Sequence, residues 1–394
     1  MNKSLRMCPS SATTETVWRR RVELSGLVVV AIYAVIFAGL YKTGWWILKE
    51  NGKPLIEDFT PMWLAGKEAL QGHAAEAYDF KAFAAVQKAF LGPSRFYYPW
   101  PYPPVFFLAA ALVALFPYAS AFFLWQAATL FGLLRAIYRI LPERAAVVAT
   151  LASPLLVFNA AIGQNGALTA SLFGAALVLL ERQPFVAGGL IGCLTYKPQF
   201  VLVLPLALLA SGRWRALMGA AASAGLLALS SLLAFGPQVW RAFPAALSYR
   251  TTSAFLARMP SGKIQSLYVL LRHLGMAPLG ALYVQIAVAL AAAGLVAILW
   301  RSGASYRLKA AAAATASLLV SPYLFLYDMI VLLVAAAFLA ADVGERGSSR
   351  GERLAALGLY GAQFLVVSFS NHPFGFLLDL ALFAFIFWRA RRQA

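Results

Sequence analysis

The stretch LSGLVVVAIYAVIFAGLY, residues 24–41, carries no charge and decides the fold class. About 20 apolar residues in a helix cross the hydrocarbon core of a bilayer, so this run predicts a transmembrane helix. Three consecutive arginines, Arg19 to Arg21, precede the run, and positive charge beside a span marks the cytoplasmic side. We therefore predict a cytoplasmic N-terminal segment over residues 1–23. A cleaved signal peptide is the alternative, disfavoured by the length of the run and the lack of a convincing Ala-x-Ala cleavage site.

The composition of the whole chain indicates that lipid is the solvent for most of it. Of 394 residues, 61% are hydrophobic and 12% are charged, whereas a soluble domain is about half apolar and about a quarter charged. This excludes soluble enzymes, disordered chains and cytosolic nucleic-acid binders. The net charge of +18 points to membrane orientation and to anionic lipid or phosphate as partners, not to nucleic acid. The two cysteines, Cys8 and Cys193, cannot form the disulfide framework of a secreted protein.

Further apolar runs predict more spans after the first one. They lie at Pro104–Pro117, Ala119–Leu134, Ala145–Ile162, Ala167–Leu180, Phe185–Ala210, Ala216–Phe235, Leu279–Trp300, Leu308–Tyr323, Leu324–Ala341, Leu354–Phe369 and Phe374–Trp388. An even total returns the C-terminal arginines to the cytoplasm, as the charge bias requires. We therefore predict an all-α polytopic membrane protein of about twelve transmembrane helices in the cell inner membrane. Its single membrane domain covers residues 24–388, and residues 389–394 form a cytoplasmic tail.

One region does not fit this topology well. The run Phe185–Ala210 is interrupted by Lys197-Pro198, and a proline inside a helix costs about 3 kcal/mol. The arginines of the neighbouring turns, Arg135, Arg139, Arg144 and Arg182, would also fall on the outer side. A re-entrant hairpin of two short arms is therefore an alternative to a single span, and the topology between Pro104 and Ala210 stays open.

Two long loops are predicted outside, over residues 42–103 and 236–278. The first contains helix-compatible spacing from Trp63 to Phe90, which predicts interfacial helices lying on the membrane. It ends in FYYPWPYPP, residues 96–104, whose prolines forbid a regular helix and whose aromatic rings suit the membrane interface. The second loop carries five basic residues and no acid: Arg241, Arg250, Arg258, Lys263 and Arg272. Such a loop either touches solvent or lipid headgroups, or binds a phosphate.

A small number of polar residues qualify as functional candidates. Asp328 and Asp379 lie about one turn inside predicted spans, where a carboxylate costs at least ~2.5 kcal/mol and usually serves a function. Pairing with a neighbouring helix is the alternative for each. Lys197 adjoins a proline break, where it could project into a polar cavity. The tetrapeptide Gly163-Gln164-Asn165-Gly166 marks another polar break, or simply a tight turn. The three histidines stand apart in loops, and motifs of zinc hydrolases, nucleotide binders and serine esterases are missing.

In chain order, these features resemble a known family. The matching residues are Asp58-Phe59, Trp63-x-Ala65-Gly66, Leu70-x-Gly72, Tyr78-Asp79, Tyr102-Pro103-Pro104, Gly163-Gln164-Asn165, Lys197-Pro198-Gln199, Ser321-Pro322-Tyr323 and Tyr327-Asp328. This ordered set, which covers roughly Asp58 to Leu332, is similar to glycosyltransferase family 87, the polyprenyl-phosphate-mannose-dependent mannosyltransferases of the multispan GT-C superfamily. Each motif is weak alone, whereas the ordered set is moderately specific.

The resemblance implies an outward-facing active site in which a carboxylate after the first span acts as the base, and Asp58 matches that position. Many relatives carry a histidine after Ser-Pro, where this chain has Tyr323, so the role of that residue and the inference to mannose are weakened. We expect Asp58 to be catalytic. The expected substrate-binding residues are Lys197, Gln199, Gln164, Asn165, Arg258, Tyr323 and Asp328. No metal site and no cofactor are expected.

The physical setting is consistent with this chemistry. An outer-face transferase cannot draw on cytosolic nucleotide sugars, so a polyprenyl-phosphate-linked sugar is the expected donor and a glycolipid or glycan the expected acceptor. Such a transfer needs a base for the acceptor hydroxyl and cations for the departing phosphate, and direct attack inverts the anomeric centre. A polytopic transporter or flippase is the main alternative, because transporters also break their spans with polar residues. A structural membrane protein of a biosynthetic complex is the other alternative. The long outer loop, 42–103, favours the transferase, which needs a lid and a base.

Overall fold

The apolar runs fold as α-helices throughout the described part of the chain, a computed structural model covering residues 9–55, 57–94, 96–250 and 263–393. In lipid, backbone groups must be paired within the protein, and a helix pairs them within one segment. The described ranges contain isolated bridges but no β-strand. The predicted all-helical class is confirmed.

The α-helices are numbered here in chain order. They are α1 Pro9–Lys42, α2 Phe59–Leu70, α3 Phe80–Leu91, α4 Phe107–Ala114, α5 Tyr118–Ile140, α6 Arg144–Leu151, α7 Pro154–Ile162, α8 Gly166–Leu179, α9 Pro184–Cys193, α10 Pro198–Val201, α11 Val203–Ala210, α12 Trp214–Phe235, α13 Pro237–Arg250, α14 Leu267–His273, α15 Pro278–Arg301, α16 Tyr306–Leu319, α17 Val331–Arg346, α18 Arg350–Ser368 and α19 Gly375–Arg391. Short 3-10 helices lie at Ala74–Tyr78, Pro104–Phe106, Leu194–Tyr196 and Leu326–Ile330.

Several of these helices are long and apolar enough to cross a membrane. Five segments within the described residues qualify: Arg20–Lys42, Tyr118–Ile140, Trp214–Phe235, Pro278–Arg301 and Leu326–Arg346. The pair α6 and α7, bent by 51° at its break, makes a sixth if it counts as one span. The chain is therefore a multi-pass membrane protein. The total of twelve spans stays a prediction, because other predicted spans fold as shorter apolar helices.

Prolines divide two of the predicted spans. The run Ala145–Ile162 is split before Pro154, which begins α7. In Phe185–Ala210, α9 ends at Cys193 and a 3-10 turn leads to Lys197, after which Pro198 begins the next helix. A proline lacks the N–H that a helix interior needs, whereas the first turn leaves that donor unused. Lys197 consequently lies at a helix break instead of inside a continuous helix.

The outer-loop helices differ from the surface arrangement predicted for Trp63 to Phe90. Helix α3 has one buried face, Phe83, Gln87 and Leu91, as expected for a helix at a surface. Helix α2 is instead buried on nearly all sides and packs against α4. Gly66 makes this contact possible, because a Cβ there would lie 2.1 Å from the carbonyl oxygen of Ala110. Thus α2 is part of the protein interior, and only α3 retains the features of a surface helix.

The core of the structure surrounds α17, which continues the 3-10 turn Leu326–Ile330 and is largely buried. It packs against α16, α8 and α5. A second tight contact joins α9 to α12, where a Cβ on Gly188 would lie 1.9 Å from the carbonyl oxygen of Ala216. Small residues let helix backbones approach in this way in membrane proteins. The contact fixes the end of α9, and with it the position of the Lys197 break.

Candidate active site

Asp58 lies immediately before α2, and its side chain is only 8% exposed. Two side chains from distant parts of the chain reach its carboxylate. Gln164 Nε2 donates to Oδ2 over 3.4 Å, and Lys263 Nζ lies 3.4 Å from Oδ1. The structure therefore brings together two residues predicted for the site, Asp58 and Gln164. It adds Lys263 from the basic second outer loop.

A tyrosine completes the surroundings of Asp58. Tyr98, from the proline-rich segment before α4, interacts with the carboxylate through its hydroxyl, and Lys263 Nζ lies 5.5 Å from the centre of its ring. Burial, and then the charge of Asp58, raise the pKa of the Tyr98 phenol, so it remains a hydrogen-bond donor. The sequence analysis noted the segment of Tyr98 but assigned that residue no role.

Glu57 places a second carboxyl group beside Asp58. Burial and the neighbouring charge of Asp58 raise the pKa of Glu57 to about 7, while Lys263 opposes this effect. The backbone N–H of Glu57 donates to the hydroxyl of Thr60 over 3.3 Å, which fixes the chain at the start of α2. The site thus contains two acids and one lysine.

The turn between α7 and α8 presents Gln164 to Asp58. Gly163 ends α7 in the left-handed region, with φ of 72°, where glycine is favoured. A Cβ at this position would lie 2.6 Å from the Cβ of Phe59 and 2.5 Å from the ring of Phe122. The turn is therefore packed tightly against the start of α2. Gln164 is held further by the hydroxyl of Tyr102, which donates to its Oε1 over 3.2 Å.

A second polar cluster lies at the helix break of Lys197. Lys197 Nζ and Asp328 Oδ1 form an ion pair of 2.5 Å, with the two side chains only 5% and 1% exposed. The ring of Tyr327 lies 4.9 Å from the ammonium nitrogen, within the range of a cation–π contact. The second carboxylate oxygen of Asp328 is buried without a hydrogen-bond partner among the described residues. The pairing left open for Asp328 in the sequence analysis is present, and its partner is Lys197.

Asn165 and its neighbours connect the two clusters. The carbonyl oxygen of Asn165 accepts from Thr169, whose hydroxyl also hydrogen bonds to Tyr196 over 2.6 Å. Gly166 packs against the other side of the cluster, because a Cβ there would lie 2.0 Å from the carbonyl oxygen of Tyr327. Three segments that are distant in sequence, around Asn165, Tyr196 and Tyr327, therefore meet at one place.

The remaining predicted residues are less well defined by contacts. Gln199 is half-buried in α10, and Tyr323 is half-buried with its N–H donating to the hydroxyl of Ser321 over 3.2 Å. Arg258 lies outside the described residues. The other carboxylate predicted to lie within a span, Asp379, is fully buried, and neither of its oxygens has a hydrogen-bond partner within the described ranges.

One group of side chains in the first outer loop could hold a metal ion. Ligand atoms of Glu68, His73 and Glu76 lie within 4.8 Å of one another, so His73 is not isolated as its sequence position suggested. His73 and Glu76 are exposed, and exposed acidic groups commonly cluster without an ion. We assign no metal to them.

Comparison with known proteins gives one family match for the chain. The family model of glycosyltransferase family 87 matches residues 100–322, more than half of the chain. No curated protein and no solved structure matches the chain. The matched region contains Gln164, Lys197 and Lys263, whereas Asp58 and Asp328 lie outside it and contact residues within it. The match favours the transferase over the transporter and structural-protein alternatives.

Proposed function

Since the chain belongs to glycosyltransferase family 87 and is a membrane glycosyltransferase, we propose that it transfers a sugar from a polyprenyl-phosphate donor to a lipid or glycan acceptor. The sugar is mannose or another hexose. The reaction takes place at the outer face of the cytoplasmic membrane. An apolar donor tail suits a protein whose surface carries large exposed apolar side chains along its long helices, as on α1 and α15.

The observation that carries this proposal is the surroundings of Asp58. A carboxylate that is largely buried, held by a glutamine and touched by a partly exposed lysine, combines a proton acceptor with a cation. A glycosyl transfer from a phosphate donor needs both, one for the acceptor hydroxyl and one for the leaving phosphate. Two of the side chains that contact Asp58, Gln164 and Lys263, lie inside the region that matches the family, and Tyr98 lies just before it.

In the proposed reaction, the acceptor hydroxyl oxygen attacks the anomeric carbon of the donor sugar. A new carbon–oxygen bond forms as the bond from the anomeric carbon to the phosphate oxygen breaks. The electron pair of that bond leaves with the polyprenyl phosphate, and the hydroxyl proton passes to Asp58. Attack opposite to the leaving phosphate inverts the anomeric configuration.

The other predicted residues line the substrate site in this proposal. Gln164 orients Asp58, and Asn165, Gln199 and Tyr323 offer polar groups for sugar hydroxyls. Lys197 lines the donor path, with Asp328 as its counter-ion. We do not place it on the phosphate itself, because a lysine that is already neutralised by a carboxylate attracts a phosphate less strongly. Arg258 is kept as a phosphate contact on the evidence of its basic loop alone.

The test is sugar transfer by the purified protein. Incubation with labelled polyprenyl-phosphate mannose and membrane lipid extract should give a labelled glycolipid or glycan of inverted configuration. A panel of other polyprenyl-phosphate hexoses then identifies the sugar. If the protein transferred from none of these donors but did so from a nucleotide sugar, the proposed donor class would be wrong.

A further inference from the structure

The backbone that follows Lys263 is anchored, whereas the Lys263 side chain is partly exposed. Ile264 forms a bridge with Phe325, and the N–H of Gln265 donates to the carbonyl oxygen of Leu324 over 2.6 Å. The hydroxyl of Ser266 donates to the carbonyl oxygen of Pro322 over 2.7 Å. These contacts fix residues 264–266 to the segment that follows α16. The anchored backbone therefore positions Lys263 so that its ammonium group contacts Asp58.

The contact between Lys263 and Asp58 is loose. The two charged groups are 3.4 Å apart, and the lysine side chain is 34% exposed. In contrast, Lys197 is 2.5 Å from Asp328 and 5% exposed. A partly exposed ion pair contributes little stability, so its lysine can exchange one partner for another. Of these two lysines, Lys263 is the one that an arriving phosphate can reach.

The charges around Lys263 also suit an exchange of partners. Glu57, Asp58 and the ring of Tyr98 lie around it, so two acids share a single lysine. Lys263 opposes the rise of the Glu57 pKa and also contacts Oδ1 of Asp58, so it lies close to both carboxyl groups. While Lys263 is next to Oδ1 of Asp58, that oxygen is not fully available to an acceptor hydroxyl.

We propose that Lys263 binds the donor phosphate, and that its transfer from Asp58 to the phosphate frees Asp58 to accept the proton of the acceptor. This inference rests on the proposed function and adds an order to it: the donor binds before Asp58 is ready. The lysine charge then neutralises the phosphate oxygen as the electron pair of the broken bond moves onto it. Until a donor binds, Lys263 stays paired with Asp58, and Asp58 is less able to accept a proton from the acceptor hydroxyl.

A binding experiment on the purified protein tests the phosphate contact. Polyprenyl phosphate, the carrier without its sugar, is titrated in detergent against the wild type, Lys263→Met and Lys88→Met. Lys88 is an exposed lysine of α3 in the same outer loop as Asp58, so its loss removes the same charge away from the site. We expect Lys263→Met to weaken carrier binding at least about tenfold, Lys263→Arg to restore most of it, and Lys88→Met to bind like the wild type. Unchanged binding by a folded Lys263→Met protein would overturn the proposal.

Lysine acylation of the wild-type protein gives the same answer without a variant. Polyprenyl phosphate should protect Lys263 from an amine-reactive reagent, read by peptide mass spectrometry, and leave Lys88 as reactive as before. Equal reactivity of Lys263 with and without the carrier would contradict the inference. Protection of Lys263 in a protein that transfers no sugar would instead show that the phosphate site is right and the proposed function wrong.

Discussion

Asp58 and Glu57 are adjacent in the sequence but have different surroundings. Asp58 has Gln164 and Lys263 as partners of its two oxygens, whereas burial raises the pKa of Glu57 to about 7. Its raised pKa means that Glu57 gains its charge only as the pH rises through about 7. A base must be ionised to accept a proton, so Glu57 is a weakened candidate at neutral pH.

This difference gives a prediction for the two carboxyl groups. Asp58→Asn should lower turnover by about 10²–10⁴-fold, the usual contribution of a general base, with little change in shape or carrier binding. Glu57→Gln, which retains the uncharged form that predominates below neutrality, should keep most of the activity. Steady-state sugar transfer at pH 6 and pH 8 provides the comparison. An active Asp58→Asn protein with an inactive Glu57→Gln protein would show that Glu57 is the base, and two active proteins would exclude a base at this place.

A second prediction at the residue scale concerns the buried pair of Lys197 and Asp328. Removing one member of a buried ion pair leaves an uncompensated charge and costs about 3–5 kcal/mol, whereas replacing both by apolar residues can be neutral. Lys197→Met should therefore lower the thermal stability in detergent, and Lys197→Met combined with Asp328→Leu should recover it.

The double variant separates a structural role from a functional one. If Lys197 and Asp328 line the donor path, the double variant folds but its KM for the donor rises. Wild-type transfer by the stable double variant would assign the pair to folding alone. A double variant that was no more stable than Lys197→Met would contradict the ion-pair argument itself.

At the scale of elements, proline and glycine positions were the best guides to where helices end. The breaks at Gly163 and at Lys197 follow directly from residue types that cannot continue a helix. The burial of α2 could not be predicted in the same way. Its sequence shows lysine, glutamate and glycine, and only the contact of Gly66 with Ala110 reveals that a second helix covers it.

The turn at Gly163 gives a prediction for an element boundary. Gly163→Ala adds a Cβ where φ is 72° and where Phe59 and Phe122 already occupy the space. The turn must shift, and Gln164 with it, so both the thermal stability and the transfer rate should fall. Gly52→Ala is the matched control, because its φ of 74° is similar but nothing lies within 4 Å of the added Cβ. Equal losses in the two variants would mean that backbone strain, and not the packing of the turn, is responsible.

For the candidate site, the sequence predicts individual residues but not which of them lie together. Asp58, Gln164, Lys197 and Asp328 were found because charged or polar residues are rare in apolar sequence. Their grouping into two clusters depends on contacts across more than a hundred residues, which no local pattern encodes. Lys263 was one of five basic residues in its loop, and its contact with Asp58, 205 positions away, could not be read from that loop.

At the scale of the whole molecule, charged residues predicted to face the cytoplasm meet in one network. Arg389 donates to Asp342 over 2.7 Å and to Glu352 over 2.8 Å, and Ser305 donates to the same Asp342. The network joins the turn before α16 to the ends of α17 and α19 and the start of α18. These ends therefore lie together, which agrees with the common side that the arginine bias predicts for them.

The two predicted outer loops also meet, since Asp58 of the first contacts Lys263 of the second. Reporter fusions should therefore place His73 and His273 on the same side of the membrane, and we expect the outer one. Fusions at Arg21, Ser211 and Arg391 should report the cytoplasm, because arginines flank each of these positions. Opposite sides for His73 and His273 would contradict the contact between the loops. If both were cytoplasmic, the contact would stand, but Asp58 would face nucleotide sugars and the case for a polyprenyl-phosphate donor would be lost.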